Sequence, residues 1–473
     1  MKRLHKSVVL SLGALALSPV TGACAAEAPV VSVAEGKLSG LTEDGVISFK
    51  GIPFAAPPVG ELRWRAPQPA AHWDGVRKAD AYAHDCMQKP FDGDAAPLGT
   101  PPAEDCLYAN VWKPAGAKGK LPVLVWIYGG GFLNGGASPP TYSGAELAKK
   151  GVMVVSFNYR LGRFGFFAHP ALEKARDGNA VNYGFLDQIA ALRWVQANIA
   201  AFGGDPEKVT IAGESAGGNS VNNLMTSPMA RGLFDGAVVM SGGNGSSFAP
   251  VTMETANGIG ESFAQSKGIA PGDADALAKL RALPAETIVD GLNLMALFNP
   301  SGEAPKFIMP FPDGKIAVDQ RKAYEAGTFE HVPVMIGATS ADIGGDAGYM
   351  VAGARKVAGV IGGQGVPVYE YRFSYVASSS DAPGAPHATD IPFFFDTQAI
   401  KYGTATTARD NAMGAAMSDY LVNFVKSGDP NAKGLPAWQP YAKAGGALMD
   451  FAPSGKAVFG ADPLKAKIDA TDM

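Results

Sequence analysis

KVTIAGESAGG, residues 208–218, is the stretch that decides the fold. Its first half is apolar and β-branched, and its second half contains GESAG, a G-x-S-x-G motif. In this motif a strand runs into a tight turn and then a helix, and the serine occupies the turn. Only small residues fit two positions before and after that serine, as Gly213 and Gly217 do. Ser215 is therefore predicted to be an accessible nucleophile.

Other apolar runs alternate with helical patterns along the chain. Leu186, Ile189, Leu192, Val195 and Ile199 recur at three- and four-residue steps, the stripe of an amphipathic helix. Alternating strands and helices predict an α/β fold with a mostly parallel sheet, helices on both faces, and functional loops at the carboxyl ends of the strands. The predicted buried strands are PVLVWIY (122–128), VMVVSFNY (152–159), KVTIAG (208–213), GAVVMSG (236–242), VPVMIG (332–337) and VPVYEYRF (366–373).

A glycine-rich turn follows the first of these strands. In IYGGGF the backbone of Gly129, Gly130 and Gly131 can approach a ligand closely and point N–H groups at it. With the N–H of Ala216, these groups could hold the oxyanion that forms when Ser215 attacks a carbonyl. The alternatives are a plain glycine turn or a nucleotide loop. The second is disfavoured because no Lys-Ser/Thr pair and no G-x-G-x-x-G accompany the turn.

A histidine is expected to act as the general base, after an acid, in the chain order serine, acid, histidine. Two histidines follow Ser215. His331 comes at the start of a predicted strand, which is the wrong end for catalysis, and it is interpreted as structural or exposed. His387 follows the strand 366–373 and a loop. His387 is therefore the predicted base.

The acid is expected between them, at the carboxyl end of the strand 332–337. GATSADIGGD supplies two candidates, Asp342 and Asp346. Asp342 is nearer to the strand and is the preferred one, because a carboxylate there would fix the tautomer of His387 and stabilise its charged form. For either aspartate, the alternative is a solvated loop or a helix cap.

The N-terminus has the order of a secretory signal peptide over residues 1–26. Cationic residues precede an apolar run, 8–20, that is too short to span a bilayer, and small residues follow, with cleavage expected near Ala25 or Ala26. The alternatives are a buried helix, or a lipoprotein acylated on Cys24. Export would leave Cys86 and Cys106 as an even pair, to be expected as one disulfide or as two buried thiols.

The chain has the composition of a globular protein. Of 473 residues, 47% are hydrophobic and 18% charged. No linker or repeat interrupts residues 27–473, so they are predicted to form a single domain with no integral membrane segment. A net charge of −4 offers no basic stripe for a phosphate backbone, so nucleic acid is not an expected partner.

Seven motifs, in order and spread over nearly the whole mature chain, resemble the type-B carboxylesterase and cholinesterase family. This resemblance implies the α/β-hydrolase fold and a small-molecule ester as substrate. It also implies functional roles for Ser215, Ala216, Gly130, Gly131 and His387. The motifs are EDCLYANVW (104–112), IYGGGF (127–132), NYRLGRFGF (158–166), FGGDPEKVTIAGESAGG (202–218), GAPH (384–387), FVKSGDPN (424–431) and AWQPY (437–441).

The resemblance also implies a disulfide between Cys86 and Cys106 across an exposed loop. Glu214, beside the serine, is expected to be a buried structural carboxylate with polar partners. The implied reaction is two-step acyl transfer without a metal or organic cofactor. The alternatives are an amidase that uses the same residues, or a non-catalytic binding protein, which would have lost part of the catalytic set.

The chain departs from the family pattern in three ways. Asp342 stands where the family usually has a glutamate. The loop between Cys86 and Cys106 contains no tryptophan, so choline esters are not expected substrates. Asp342 and His387 are only 45 residues apart, where relatives have a longer helical segment. A wider, shallower cleft that accepts neutral, bulky or apolar esters is therefore expected, unless loops within 243–310 cover it.

Overall fold

The structure is a computed structural model that describes residue 1 and residues 28–175, 181–245, 251–298, 306–443 and 445–471. Residues 2–27, which contain nearly all of the predicted signal peptide and Cys24, lie outside the described residues. No helix within the described residues is long and apolar enough to cross a membrane.

Most of the strands join one large sheet. In chain order the strands are β1 (Val30–Val33), β2 (Gly36–Ser39), β3 (Leu41–Glu43), β4 (Val46–Pro53), β5 (Val76–Lys78), β6 (Asp85–Cys86), β7 (Pro102–Ala103), β8 (Tyr108–Pro114), β9 (Leu121–Ile127), β10 (Met153–Phe157), β11 (Gly204–Glu214), β12 (Gly236–Met240), β13 (Val334–Thr339), β14 (Val368–Phe373), β15 (Ala447–Phe451) and β16 (Ala457–Ala461). The strand order of the large sheet is β16-β15-β14-β13-β12-β11-β9-β10-β8-β4-β3.

The centre of this sheet is parallel and its margins are antiparallel. β10, β9, β11, β12, β13, β14 and β15 run parallel to their neighbours in that order. Antiparallel pairs add β8, β4 and β3 at one side and β16 at the other. The six strands predicted from the sequence are β9 to β14, so the prediction of a mostly parallel sheet is confirmed.

Both faces of the central sheet are covered. Every residue of β10, β12, β13 and β14 is buried, although successive side chains of a strand point to opposite faces. This explains why β10, β12 and β13 are apolar almost throughout in sequence rather than alternating, whereas β14 also buries Glu370 and Arg372.

Helices connect the strands and provide this cover. They are α1 (Ala145–Lys149), α2 (Gly162–Gly165), α3 (Pro170–Lys174), α4 (Tyr183–Asn198), α5 (Ala216–Thr226), α6 (Met253–Ser266), α7 (Ala276–Ala282), α8 (Ala285–Val289), α9 (Gln320–Glu325), α10 (Val351–Gly363), α11 (Ile391–Phe394), α12 (Gln398–Tyr402), α13 (Ala408–Ser427) and α14 (Lys465–Asp469). Short 3-10 helices lie at Gly60–Leu62, Pro140–Tyr142, Ile199–Phe202, Leu294–Phe298 and Gly403–Ala405.

The helix predicted from the apolar stripe is α4, and it is more deeply buried than an amphipathic surface helix. Its exposed residues are Arg193 and Ala197, and twelve of its sixteen residues are buried. Polar residues as well as apolar ones therefore lie inside, among them Asp187, whose carboxylate pairs with the buried Arg160 at 2.7 Å.

The sheet brings the predicted site residues together at one edge. The order β14-β13-β12-β11-β9 is continuous, and all five strands run parallel. His387, Asp342, Ser215 and the glycines 129–131 follow the carboxyl ends of β14, β13, β11 and β9, respectively. Their convergence follows from the register of neighbouring strands, because parallel strands end at the same edge.

The implied disulfide between Cys86 and Cys106 is present, with a Cα–Cα distance of 4.9 Å. The loop that it closes is also held by Asp85, which is fully buried. The Asp85 carboxylate accepts hydrogen bonds from Thr100 Oγ1 at 3.0 Å, from the N–H of Ala137 at 3.0 Å and from the Ser138 hydroxyl. Asp85 therefore joins the loop, through Thr100, to the segment that follows the glycine-rich turn, independently of the disulfide.

Reduction of this disulfide is expected to lower the free energy of unfolding by about 3 kcal/mol, because it frees a loop of 20 residues in the unfolded chain. Urea unfolding with and without a phosphine reductant measures the change. The double variant Cys86→Ser/Cys106→Ser is the control, since its stability should not respond to the reductant. Two free thiols found by mass spectrometry in unreduced protein would contradict the pairing.

Candidate active site

Ser215 lies on a strained turn between β11 and α5. Its backbone has φ 57° and ψ −120°, which a residue with a side chain rarely adopts. Its N–H donates to the carbonyl of Met240 at the end of the next strand, at 2.9 Å. A Cβ on Gly217 would come within 2.0 Å of the Ile127 carbonyl oxygen, and one on Gly213 within 2.4 Å of the Gly217 carbonyl oxygen. The motif needs glycine at both positions for this reason.

His387 lies beside Ser215, as the sequence predicted. Its Nε2 is 2.9 Å from Ser215 Oγ, and its side chain is 23% exposed. Ser215 is also partly exposed, so both residues can be reached from solvent. His331 lies elsewhere: it is exposed, stacks on Phe329 and contacts the Gly327 carbonyl.

Asp342 completes a continuous chain of hydrogen bonds. Its Oδ1 is 2.6 Å from His387 Nδ1, on the side of the ring away from Ser215. The same carboxylate accepts from Ser241 Oγ at 2.6 Å, from the N–H of Thr339 at 3.1 Å and from the N–H of Ile343 at 2.7 Å. The side chain has no exposed area. Each of the two carboxylate oxygens therefore accepts two hydrogen bonds.

Asp346, the other candidate acid, takes no part in this chain of hydrogen bonds. It is exposed, and its Oδ1 is 2.6 Å from Lys467 Nζ. It corresponds to the solvated alternative considered from the sequence.

Glu214 is a second carboxyl group near the imidazole. Its Oε1 is 3.2 Å from His387 Nε2, and the residue is 3% exposed. Glu214 was expected to have polar partners, and its Oε1 does lie beside the imidazole, although within the described residues that oxygen accepts no hydrogen bond. Asp390, three residues after His387, was not recognised from the sequence. It is fully buried and accepts a hydrogen bond from the Tyr371 hydroxyl at 2.9 Å.

The three buried carboxyl groups differ in pKa because they differ in donors. Burial would raise the pKa of Asp342, but hydrogen bonds from His387, Ser241 and Ile343 outweigh burial and leave that pKa below its ordinary value. Burial raises the pKa of Glu214 to about 8 and that of Asp390 to about 6. Asp342 is therefore the best stabilised anion beside His387 at neutral pH.

Burial lowers the pKa of His387, but the carboxylates around it have the larger effect. Glu214 and Asp342, followed by Asp390, stabilise the protonated ring, and the pKa of His387 lies above its ordinary value of 6.5. A base whose pKa is raised in this way accepts a proton more readily from a hydroxyl group.

The turn after β9 lies next to Ser215. Gly130 and Gly131 have φ 97° and 64°, conformations open to glycine. A Cβ on Gly129 would come within 3.0 Å of Ser215 Cβ, which shows how closely this turn approaches the nucleophile. Within the described part of the chain, the N–H groups of Gly130 and Gly131 donate to no backbone or side-chain acceptor. Ala216 is the first residue of α5.

The site is partly covered from one side. A Cβ on Gly131 would come within 2.5 Å of Cδ1 of both Leu294 and Leu297, which belong to the 3-10 helix Leu294–Phe298. A segment within 243–310 therefore lies over the glycine turn, which was the alternative considered to a fully open cleft. Ser215 and His387 are nevertheless partly exposed to solvent.

Known proteins resemble this chain over most of its length. The profile of the carboxylesterase family matches residues 27–358 and 340–461. A fumonisin B1 esterase of Sphingopyxis macrogoltabida is 42% identical over 310 residues, 64% of this chain and 54% of that protein. A para-nitrobenzyl esterase of Bacillus subtilis (strain 168) is 40% identical over 325 residues, 68% of this chain and 63% of that protein. The chain thus spans less than two thirds of the length of these two relatives.

A third relative is aligned over nearly its whole length. A phenmedipham hydrolase of Pseudarthrobacter oxydans is 33% identical over 482 aligned positions, which cover 87% of this chain and 93% of that protein. The family profile, this alignment and the strand order agree. The chain belongs to the carboxylesterase family and has its α/β-hydrolase fold.

Proposed function

We propose that this protein is a serine hydrolase that cleaves carboxylic esters through an acyl-enzyme intermediate. The observation that carries the proposal is the hydrogen-bonded chain from Ser215 Oγ to His387, at 2.9 Å, and from His387 to Asp342, at 2.6 Å. A nucleophile, a base and an orienting carboxylate in contact are the minimum for this type of catalysis. A non-catalytic binding protein would not need the set to be complete.

In the first step Ser215 Oγ bonds to the ester carbonyl carbon while His387 Nε2 takes its proton. The carbonyl oxygen becomes an oxyanion, for which we assign the N–H groups of Gly130, Gly131 and Ala216 as donors. The C–O bond to the alcohol then breaks, and His387 gives the proton to the leaving alcohol. Water repeats the sequence on the acyl-enzyme, releasing the carboxylic acid and restoring Ser215. This scheme uses no metal or organic cofactor.

Asp342 has the orienting role in this scheme. Its hydrogen bond to Nδ1 keeps that nitrogen protonated, so that Nε2 is free to act as a base. Its charge also stabilises the imidazolium that forms during each step. Glu214 lies on the opposite nitrogen and has no comparable set of donors, which argues against its acting as the acid.

The substrates proposed are neutral esters with bulky or apolar groups. Three relatives carry names that refer to different compounds, namely fumonisin B1, a para-nitrobenzyl group and phenmedipham, so the comparisons do not single out one substrate. The partial exposure of Ser215 and His387 supports access by large groups.

We further propose that the protein is exported and that residues 27–473 form a single domain. The Cys86–Cys106 disulfide is compatible with an oxidising compartment. The signal peptide itself stays a prediction from the sequence.

Ser215→Ala is expected to abolish the burst of p-nitrophenol that accompanies acylation, because no nucleophile remains, while circular dichroism and the melting temperature stay close to those of the parent. The assay uses p-nitrophenyl esters and the matching anilides. Faster release from esters supports an esterase, and faster release from anilides would assign an amidase instead. Burst activity retained by the variant would overturn the assignment of the nucleophile.

Asp342→Asn is expected to lower turnover by several orders of magnitude, on the order of the 10⁴-fold loss known for such a change in a serine protease. Asp346→Asn is the matched control and should leave turnover unchanged, because its carboxylate binds Lys467 at the surface. Steady-state kinetics of the two variants on one ester decide between them. The opposite pattern would show that the acid has been misassigned.

The pH dependence of kcat/KM is expected to show an acid limb whose midpoint lies above pH 6.5. Only neutral His387 can accept the serine proton, and its pKa is raised by the carboxylates around it, so activity is lost as pH falls through that raised value. A series of rates on an uncharged ester measures the midpoint. A midpoint at or below 6.5 would show that these carboxylates do not act on the free enzyme.

A further inference from the structure

The 3-10 helix Leu294–Phe298, called here the 294–298 helix, covers one of the proposed oxyanion glycines. Cδ1 of Leu294 and Cδ1 of Leu297 occupy the space where a side chain on Gly131 would be. Leu297 is 36% exposed, so one part of its side chain contacts the glycine and another part faces solvent. A group of the substrate that enters beside Gly131 would meet this apolar surface.

Asn134 connects this helix to the glycine turn. It is 1% exposed, and its Oδ1 accepts a hydrogen bond from the N–H of Leu294 at 2.6 Å. Its Nδ2 donates to Gln88 Oε1 at 3.0 Å and to the Lys89 carbonyl at 2.9 Å. An amide side chain has two N–H donors and one acceptor oxygen, and here all of them are used. One side chain thus joins the 294–298 helix to the disulfide-closed loop.

The backbone of Asn134 is fixed to the glycine turn itself. Its N–H donates to the Gly130 carbonyl at 2.9 Å, and a Cβ on Gly130 would come within 2.3 Å of the Asn134 carbonyl oxygen. Gln88 strengthens the same junction, because it accepts from the N–H of Gly135 at 2.9 Å and donates to the Gly135 carbonyl at 2.6 Å. The position of Asn134 is therefore tied to that of the glycine turn beside Ser215.

We propose that Asn134 is a positioning residue that fixes the 294–298 helix against Gly131 and so determines how large a substrate group fits there. This inference rests on the proposed ester hydrolysis. Asn134 touches no reacting atom and acts through Leu294 and Leu297. Loss of its side chain removes the acceptor of the partly buried Leu294 N–H, and the loss of this hydrogen bond is unfavourable enough to move a short surface helix.

Displacement of the helix has opposite consequences for small and large esters. A small acyl group loses apolar contact with Leu297, whereas a large one gains space beside Gly131. A contact of this size typically changes the discrimination between substrates by about tenfold or more. Selectivity, rather than activity alone, is therefore the diagnostic property.

The test compares kcat/KM for p-nitrophenyl benzoate and p-nitrophenyl acetate in Asn134→Ala and in the control Asn198→Ala. Asn198 is equally buried and also joins two segments, accepting from the N–H of Ala34 at 2.9 Å and donating to the Trp194 carbonyl at 3.2 Å, but it contacts no site residue. The benzoate to acetate ratio should rise about tenfold in Asn134→Ala and stay at the wild-type value in Asn198→Ala. An unchanged ratio in Asn134→Ala, or an equal rise in both variants, overturns the proposal.

Leu297→Ala keeps the test informative if Asn134→Ala does not fold. Leu297 is partly exposed, so its truncation should be tolerated, and it should raise the same ratio by removing the wall directly. Leu41→Ala, at a 43% exposed leucine on the edge strand β3, is the matched control and should not change the ratio. A ratio that Leu297→Ala leaves unchanged overturns the proposal.

Hydrogen–deuterium exchange separates this proposal from the proposed function, because it needs no catalysis. Amides of residues 291–298 should exchange faster in Asn134→Ala than in wild type, and at the wild-type rate in Asn198→Ala. If wild type hydrolysed no ester while this difference appeared, the proposed function would fail and the link through Asn134 would stand. Equal exchange in wild type and Asn134→Ala refutes the link whatever the activity.

Discussion

Ser215 takes a backbone conformation that a residue with a side chain adopts only when its surroundings hold it there. β9 on one side of β11 and β12 on the other provide that hold, through the Ile127 carbonyl packed against Gly217 and the Met240 carbonyl bonded to the serine N–H. The turn therefore depends on three parallel strands in register. The same register delivers the glycine turn, the acid and the histidine to the same edge, so the strain and the assembly of the site have one structural cause.

The pKa of each carboxyl group in the site depends on the hydrogen bonds that it accepts. Asp342, Glu214 and Asp390 are all buried around His387. Asp342 alone accepts from a hydroxyl, two backbone N–H groups and the imidazole, which compensates for its loss of water. Glu214 has an oxygen without a donor, and burial raises its pKa. Asp342 is therefore the carboxylate whose charge the surrounding donors stabilise best.

Much of this arrangement could be predicted from the sequence, and the reasons for the rest are physical. β9 to β14 were predictable because strands buried on both faces are rich in apolar and β-branched residues, and Ser215, Asp342 and His387 because their order along the chain restricts the choice. β4 and β8, at the antiparallel margin, are interrupted by polar residues. Asn134 gave no signal, since its bond to Leu294 joins positions 160 residues apart and involves a backbone N–H that any residue supplies. Asp390 was hidden because its proximity to His387 depends on how one loop folds.

The segment before the 294–298 helix is attached to the core by buried cations that bind backbone carbonyls. Arg63 donates to the carbonyl of Arg281, in the last turn of α7, and to that of Leu283 just after it, and Arg163 donates to those of Ile288 and Val289 at the end of α8. The last carbonyls of a helix lack partners within it and carry partial negative charge, so guanidinium groups suit both ends. Such contacts recognise the backbone and not the side chains. The side chains of this segment can therefore vary while the segment stays in place. The proposed selectivity of the site can then change without a change in the strained turn at Ser215.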